Sequence, residues 1–332
     1  MPDSPILSVQ DLQVTFATRQ GPLRAVDGLS FEVAPKEVVG IVGESGSGKS
    51  VSMYSVLGLV RDANVQINGS VKFQGREILG LSDQEMQPIR GGEIGMIFQD
   101  PMTALTPVYT VGWQIVEQLR AHTDMTKQQA RERAIELLGE VGIPDPRKRV
   151  DRYPHEFSGG MRQRVVIAMA LSCNPKLLIA DEPTTALDVT TQAQILDLML
   201  KLQDSYNSSI VIITHDMGVI AEMAHKVVVM YAGRPAEIGP EIDVVRNPRH
   251  PYTWGLLGAV PRVESRNDRL TTIPGNAVSP LDIPEGCAFA DRCEYRMDIC
   301  TKRPQLKGTN SHLDACWLSD EQRLTIRSKA VR

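Results

Sequence analysis

The segment that most restricts what this chain can fold into is Gly43-Glu-Ser-Gly-Ser-Gly-Lys49-Ser50. It matches the pattern G-x-x-x-x-G-K-[ST], follows an apolar run over residues 36–42, and precedes a helix predicted over residues 49–60. Glycines allow a tight turn in which backbone N–H groups surround phosphates, and the helix N-terminus adds positive potential. A purely structural glycine turn is the alternative, but a full match between strand and helix favours a phosphate loop. The residues expected to contact a nucleotide are Gly43, Glu44, Ser45, Gly46, Ser47, Gly48, Lys49 and Ser50.

A second candidate element lies at residues 177–182. Four apolar residues predict a buried strand, and Asp181 and Glu182 stand at its carboxyl end, where parallel sheets bind ligands. Taken alone, such a strand leaves the structural and functional interpretations equally open. Beside a phosphate loop, Lys49 is expected to contact the β- and γ-phosphates, and Ser50 and Asp181 to bind Mg²⁺. Glu182 would then polarise an attacking water.

The remaining pattern predicts an α/β protein with a parallel sheet. Strand-like runs at 177–181 and 210–214 enclose a predicted helix at 191–202, which is the alternation typical of such sheets. Residues 7–33 are β-rich, with a strand pair expected over 25–33, and residues 110–170 form a mainly helical insert. After about residue 255 periodicity is lost, which predicts a loop-rich extension.

Composition excludes several classes of protein. The 332 residues carry 36 Lys and Arg against 40 Asp and Glu, a net charge of −4, which argues against binding nucleic acid through bulk charge. No stretch approaches 18 consecutive apolar residues, so no transmembrane span is expected. The first residues lack the basic and apolar regions of a signal peptide, so we expect a cytoplasmic protein.

The cysteines are unevenly distributed. Cys287, Cys293, Cys300 and Cys316 all lie in the extension, and a reducing compartment argues against structural disulfides there. Their spacing is wider than in most zinc ribbons, so a [4Fe–4S] cluster is the expectation. Zn²⁺ and unligated thiols are the alternatives.

Further motifs resemble those of the ATP-binding cassette (ABC) family over about residues 5–255. Ser158, Gly159 and Gly160 match the centre of the family signature, although Phe157 and Met161 depart from its ends. The resemblance implies an adenine-stacking role for Phe16. It also implies that Gln99 contacts Mg²⁺ and the attacking water, that His215 contacts the γ-phosphate, and that the signature acts on ATP held by an opposite subunit. It implies a P-loop ABC ATPase fold: a RecA-like parallel sheet core with an antiparallel β subdomain and a helical subdomain at about 105–170.

The chain end is similar to the C-terminal extension of dipeptide and oligopeptide importer ATPases, through His250-Pro-Tyr-Thr and the cysteine pattern. The expected domains are therefore an ATP-binding cassette at 1–255 and the extension at 256–332. The implied function is ATP hydrolysis that powers peptide import. The implied partners are a second ABC ATPase subunit, with a paralogue favoured over a copy, two transmembrane permease subunits and an extracytoplasmic binding protein, with no nucleic acid. The implied location is peripheral, on the cytoplasmic face of the inner membrane. Nickel, glutathione or sugar cargo remains open, as does a non-transport ABC ATPase.

Overall fold

The structure is a computed structural model that describes residues 4–185, 187–259, 273–309 and 311–330. The first three residues of the predicted cassette and its Ala186 lie outside the described residues. So do 260–272, 310, 331 and 332 of the predicted extension. The strands are β1 Leu7–Thr18, β2 Gly21–Val33, β3 Val38–Val42, β4 Val65–Phe73, β5 Arg76–Glu77, β6 Ile94–Ile97, β7 Leu177–Asp181, β8 Ser209–Thr214, β9 Lys226–Tyr231, β10 Arg234–Pro240, β11 Lys307–Thr309 and β12 His312–Asp314.

The helices connect these strands and, between β6 and β7, form a block of their own. They are α1 Lys49–Val56, α2 Asp83–Met86, α3 Pro101–Ala104, α4 Val111–His122, α5 Lys127–Glu140, α6 Pro146–Arg149, α7 Gly159–Leu171, α8 Val189–Tyr206, α9 Met217–Met223, α10 Glu241–Arg246, α11 Pro251–Gly258 and α12 Asp320–Ala330. Short 3₁₀ turns occur at Pro154–Glu156, Ala290–Arg292 and Asp298–Thr301. Within the described ranges, no helix combines the length and apolar composition needed to cross a bilayer.

The main sheet has the strand order β11-β12-β10-β9-β3-β8-β7-β6. Strands β6, β7, β8, β3 and β9 are parallel, whereas β10, β12 and β11 continue the sheet with antiparallel pairing. Every residue of β3, β7 and β8 is buried, as expected of strands covered on both faces. The extension, predicted to be loop-rich, thus contributes two short strands to the sheet of the cassette.

A separate antiparallel sheet has the order β2-β1-β4-β5. The prediction of a strand pair over residues 25–33 is wrong, because β2 is one strand paired with β1 along its whole length. The strand contains a bulge: Leu12 pairs with Leu29 and Gln13 with Asp27, which leaves Gly28 out of register. Gly28 has φ +88°, a conformation that glycine adopts without steric cost.

The first part of the predicted helical insert, residues 110–142, forms two helices. Thr110 caps α4 by accepting a hydrogen bond from the Trp113 N–H, and Thr126 caps α5 in the same way from Gln129. Helix α1 ends at Val56 rather than at the predicted residue 60, and Gly58 follows it with φ +59°.

Two clusters of buried apolar side chains lie on the two faces of the main sheet. One joins the sheet to the α4–α7 block and to α8, and the other joins it to the antiparallel sheet and α1. Because β3, β7 and β8 are parallel, their carboxyl ends lie at the same edge of the main sheet. Ligands of open α/β sheets bind at such an edge.

Candidate functional site

The phosphate loop, residues 43–50, connects β3 to α1 in a conformation that requires its glycines. A Cβ added to Gly43 would lie 2.2 Å from the Met230 carbonyl oxygen, and one added to Gly48 would lie 2.3 Å from that of Ala25. Gly48 also has φ +97°. Both glycines therefore allow the loop to approach neighbouring backbone more closely than any other residue would.

The loop presents a cation and an unpartnered hydroxyl. Lys49 Nζ donates to the carbonyl oxygens of Gly43 (2.7 Å) and Glu44 (3.0 Å). Burial lowers the pKa of Lys49, while the carboxylates of Glu182 and Asp181 oppose that shift. The buried Ser47 Oγ has no hydrogen-bond partner in the described part of the chain. Ser45 and Gly46 lie beside it along a cavity of about 240 Å³. A buried orphan hydroxyl in the same loop as an ammonium group is suited to receive phosphate oxygens.

Asp181 ends β7 directly opposite the start of α1. Ser50 Oγ donates to its Oδ1 (2.9 Å), and the Tyr54 hydroxyl donates to its Oδ2 (2.8 Å). Asp181 is fully buried; this burial raises its pKa, against the two hydrogen bonds that favour the ionised form. The sequence reasoning missed Tyr54, although residues four apart on a helix share one face, which places Tyr54 beside Ser50. Carboxylate and hydroxyl oxygens are suitable ligands for Mg²⁺.

Glu182 lies at the centre of the other predicted catalytic residues. Its Oε2 accepts from Gln99 Nε2 (3.1 Å) and Thr185 Oγ1 (2.8 Å), and its Oε1 lies 3.2 Å from His215 Nδ1. Burial would raise the pKa of Glu182, but the Thr185 and His215 hydrogen bonds hold it below its usual value. The residue has φ +46°, which is uncommon outside glycine and typical of strained functional positions. The structure therefore brings Gln99, Glu182 and His215 together at the edge that also holds the phosphate loop.

The remaining predicted site residues are the signature residues Ser158, Gly159 and Gly160, and Phe16. Ser158 caps α7 by accepting a hydrogen bond from the Met161 N–H (3.4 Å). Ser158 and Gly159 are exposed. A Cβ added to Gly160 would lie 2.8 Å from Thr191 Cγ2. Among the described residues, no hydrogen bond joins these three to the phosphate loop. Phe16 lies on β1, partly buried, opposite Leu23 and Val65.

Two residues from the last third of the chain contact the phosphate loop. Tyr252 belongs to the His250-Pro-Tyr-Thr motif but was given no role at the nucleotide, and Arg292 was not singled out. Arg292 forms an ion pair with the Glu44 carboxylate, and the Tyr252 hydroxyl accepts from the Glu44 N–H (2.8 Å). No local pattern could have indicated these contacts, because the partners are more than 200 residues apart.

The predicted [4Fe–4S] cluster is wrong. Cys287, Cys293, Cys300 and Cys316 line one cavity, but within the described ranges no group of three or more Cys, His, Asp or Glu residues could hold a metal ion. The volume of this cavity is about 10 Å³, which is no more than a single water needs. Burial raises the pKa of Cys287 and of Cys293 to about 11, so as unliganded side chains both are protonated thiols. The same finding removes the zinc alternative.

Comparison with known proteins gave matches along nearly the whole chain. A family model described as ABC transporter matches residues 26–185, and one described as oligopeptide/dipeptide transporter, C-terminal region, matches residues 236–300. The chain is 51% identical over 324 residues to the oligopeptide transport ATP-binding protein OppD of Salmonella typhimurium, covering 97% of this chain and 96% of that protein. It is 50% identical over 320 residues to the dipeptide transport ATP-binding protein DppD of Bacillus subtilis, covering 96% of each.

Among solved structures, the chain is similar to the ATP-binding cassette MJ0796 in a dimeric post-hydrolysis state bound to ADP and Pi. The TM-score is 0.63 at 27% identity, over 71% of this chain and 98% of that one. The cbiO1 subunit of the cbiONQ transporter complex from Clostridium perfringens gives a TM-score of 0.63 at 28% identity, over 74% of this chain and 92% of that one.

Proposed function

Because this chain belongs to the ABC transporter family, in the branch of oligopeptide and dipeptide transport ATP-binding proteins, we propose that it powers the import of short peptides across the cytoplasmic membrane. The family and the α/β cassette fold predicted from the sequence are confirmed. The chain is accordingly an ATPase coupled to transport. Peptide cargo is supported by the names of relatives that match almost from end to end.

The observation that carries the proposal is the position of Glu182. Its carboxylate is held by Gln99, Thr185 and His215, directly after Asp181 and at the same sheet edge as Lys49. The hydrogen bonds that lower its pKa keep Glu182 ionised near neutral pH, as a base must be. In hydrolysis Glu182 would orient a water and accept its proton, while the water oxygen bonds to the γ-phosphorus and the bond to the ADP oxygen breaks.

The phosphate loop binds the rest of the nucleotide in this proposal. Its backbone N–H groups, the Ser47 hydroxyl and Lys49 would hold the phosphates, and Phe16 would stack on the adenine. Ser50 and Asp181, joined at 2.9 Å, would hold Mg²⁺ together with Gln99; the ion, when bound, neutralises charge on the phosphates. His215, whose Nδ1 lies 3.2 Å from Glu182 Oε1, would contact the γ-phosphate.

The proposal includes a second cassette. Ser158 and Gly159 are exposed on the first turn of α7, free to contact ATP bound to an opposite subunit. We infer a partner ABC ATPase subunit, a paralogue rather than a copy, together with two permease subunits and a binding protein that delivers the peptide. The chain would then lie peripherally on the cytoplasmic face of the inner membrane. We divide the chain into a cassette at 1–255, which includes a helical subdomain at about 105–170, and an extension at 256–332.

The proposal is tested by replacing Glu182 with Gln in a transporter complex whose partner site is also disabled. We expect ATP binding to be retained and hydrolysis to fall by about 10²–10⁴-fold, because the base is lost while the phosphate loop is unchanged. Lys49→Ala should instead weaken ATP binding. Glu132→Gln, at an exposed ion pair with Arg147, is the matched control and should leave both unchanged. Wild-type hydrolysis by the Glu182→Gln complex would refute the assignment.

Cargo is tested separately, in cells that carry either the wild-type or the Glu182→Gln chain. Uptake of radiolabelled dipeptides and longer peptides should depend on Glu182. If peptide uptake is unaffected while uptake of nickel, glutathione or a sugar is lost, the motor is confirmed and the peptide cargo is wrong.

A further inference from the structure

Arg292, in the C-terminal extension, makes a two-pronged contact with the phosphate loop. Its Nη1 lies 2.6 Å from Glu44 Oε2, and its Nη2 lies 3.0 Å from Glu44 Oε1. Only 5% of the Arg292 side chain is exposed, against 31% of Glu44. A planar guanidinium bound to both oxygens of a carboxylate fixes orientation as well as distance.

The guanidinium is itself held firmly. Its Nε donates to the Pro274 carbonyl oxygen (2.9 Å), and Nη2 also donates to that of Ile273 (3.3 Å). It lies 5.8 Å from the ring centroid of Tyr231 and 5.9 Å from that of Phe289, at cation–π distance. Arg292 is therefore a rigid arm of the extension rather than a mobile surface side chain.

Glu44 is held at its backbone as well. Its N–H donates to the buried Tyr252 hydroxyl (2.8 Å), and its carbonyl oxygen accepts from Lys49 Nζ (3.0 Å). Three groups thus contact the second residue of the phosphate loop. Tyr252 lies on α11 at the end of the cassette, and Arg292 belongs to the extension. The loop conformation is consequently coupled to the folding of the chain end.

We propose that Arg292 is a positioning residue for nucleotide binding. By holding the Glu44 carboxylate, it fixes the phosphate loop in the conformation that receives phosphates. The ATP affinity of the cassette therefore depends on the C-terminal extension. This inference rests on the proposed function, in that it takes residues 43–50 to be the ATP site. This positioning role differs from a role in stability alone. Loosening the phosphate loop weakens the binding of ligands that carry phosphates and leaves the binding of ligands without phosphates unchanged.

The test is the affinity of the full chain for Mg-ATP and for adenosine, measured by displacement of a fluorescent trinitrophenyl-ATP. Arg292→Gln should weaken ATP binding about ten-fold, as the loss of an outer-shell partner commonly does. Arg292→Lys keeps the charge but cannot contact both oxygens, so its effect should be intermediate. Adenosine affinity should stay unchanged in both variants. Adding Glu44→Gln to Arg292→Gln should cause little further loss, because the contact is already broken.

Arg296→Gln is the matched control, since Arg296 lies four residues further along the extension and pairs with Asp291 at an exposed position (2.6 Å). Its ATP affinity should equal that of the wild type. The inference is overturned if both Arg292 variants bind ATP within about two-fold of the wild type while Lys49→Ala does not bind. It is also overturned if ATP and adenosine affinities fall equally. If Lys49→Ala binds ATP normally, the proposed function fails instead.

Discussion

Replacing Tyr54 by Phe would remove one hydroxyl from the site while keeping the aromatic ring. The hydroxyl donates to Asp181 Oδ2 at 2.8 Å, and the ring packs 6.2 Å from that of Phe98. Burial raises the pKa of Tyr54, so the hydroxyl stays protonated and remains a donor. Asp181 has no exposed surface, so water does not replace the lost partner. Hydrogen bonds to charged groups contribute about 1.5–3 kcal/mol, and we expect the free energy of unfolding to fall by that amount.

The loss is measured by urea unfolding of the full chain beside Tyr206→Phe. Tyr206 also donates to a carboxylate, that of Glu140, and accepts from Arg133 Nη2 at 2.8 Å. Because 36% of the Glu140 side chain is exposed, water can take the place of that hydroxyl. The control should therefore lose less than about 1 kcal/mol. Equal losses in the two variants would refute the argument from burial.

A second measurement concerns the metal requirement of hydrolysis. Among the described residues, Ser50 Oγ is the one side-chain donor that would still orient Asp181 without the Tyr54 hydroxyl. The carboxylate would therefore be less well placed for Mg²⁺. The Mg²⁺ concentration for half-maximal ATP hydrolysis should rise about ten-fold, the usual effect of losing an outer-shell partner. An unchanged Mg²⁺ requirement in Tyr54→Phe would contradict the role assigned to Asp181.

Three further outcomes are expected. Burial lowers the pKa of His250 from 6.5 to about 4, so between these pH values the unfolded chain binds a proton that the folded chain does not. The free energy of unfolding in urea should therefore fall as the pH drops from 6.5 towards 4. In His250→Asn it should fall less steeply. Gly48→Ala should abolish ATP binding in the displacement assay, since its Cβ would collide with the Ala25 carbonyl oxygen; wild-type affinity would disprove this. Asp188→Ala removes the cap of α8 and should cost about 1 kcal/mol of stability in urea, whereas Asp188→Asn should retain most of it.

Features set by neighbouring residues could be predicted from the sequence. The apolar runs of β3, β7 and β8 predict buried parallel strands, and the glycine and lysine spacing of residues 43–50 predicts the loop between β3 and α1. The resemblance to the ABC family, and not the pattern of strands, implied site roles for Gln99 and His215. In the structure each of them, like Glu182, follows a strand of the same parallel sheet. The strand pair predicted over residues 25–33 was wrong, because the bulge at Gly28 depends on the register with β1, which the sequence of β2 alone does not show.

Features set by distant residues could not be predicted. Nothing near Glu44 in the sequence indicates Arg292, 248 positions later, or Tyr252. The cysteine spacing correctly suggested that the four thiols lie together, because they line one cavity. Spacing carries no information on the size of that cavity or on the burial that raises the pKa of Cys287 and of Cys293, and there the prediction failed.

The two strands at the chain end have a consequence for the behaviour of the cassette in solution. β12 pairs with β10, and His312 Nε2 lies 2.7 Å from Glu237 Oε1, a carboxylate that is fully buried. A chain cut at residue 255 would leave β10 as an open edge with unpaired backbone groups, a template for pairing with other chains, and would remove one partner of that carboxylate. In the full chain the outermost strand, β11, is three residues long and exposed, begins with Lys307, and so offers little to an incoming strand. The chain end thereby protects the sheet against aggregation.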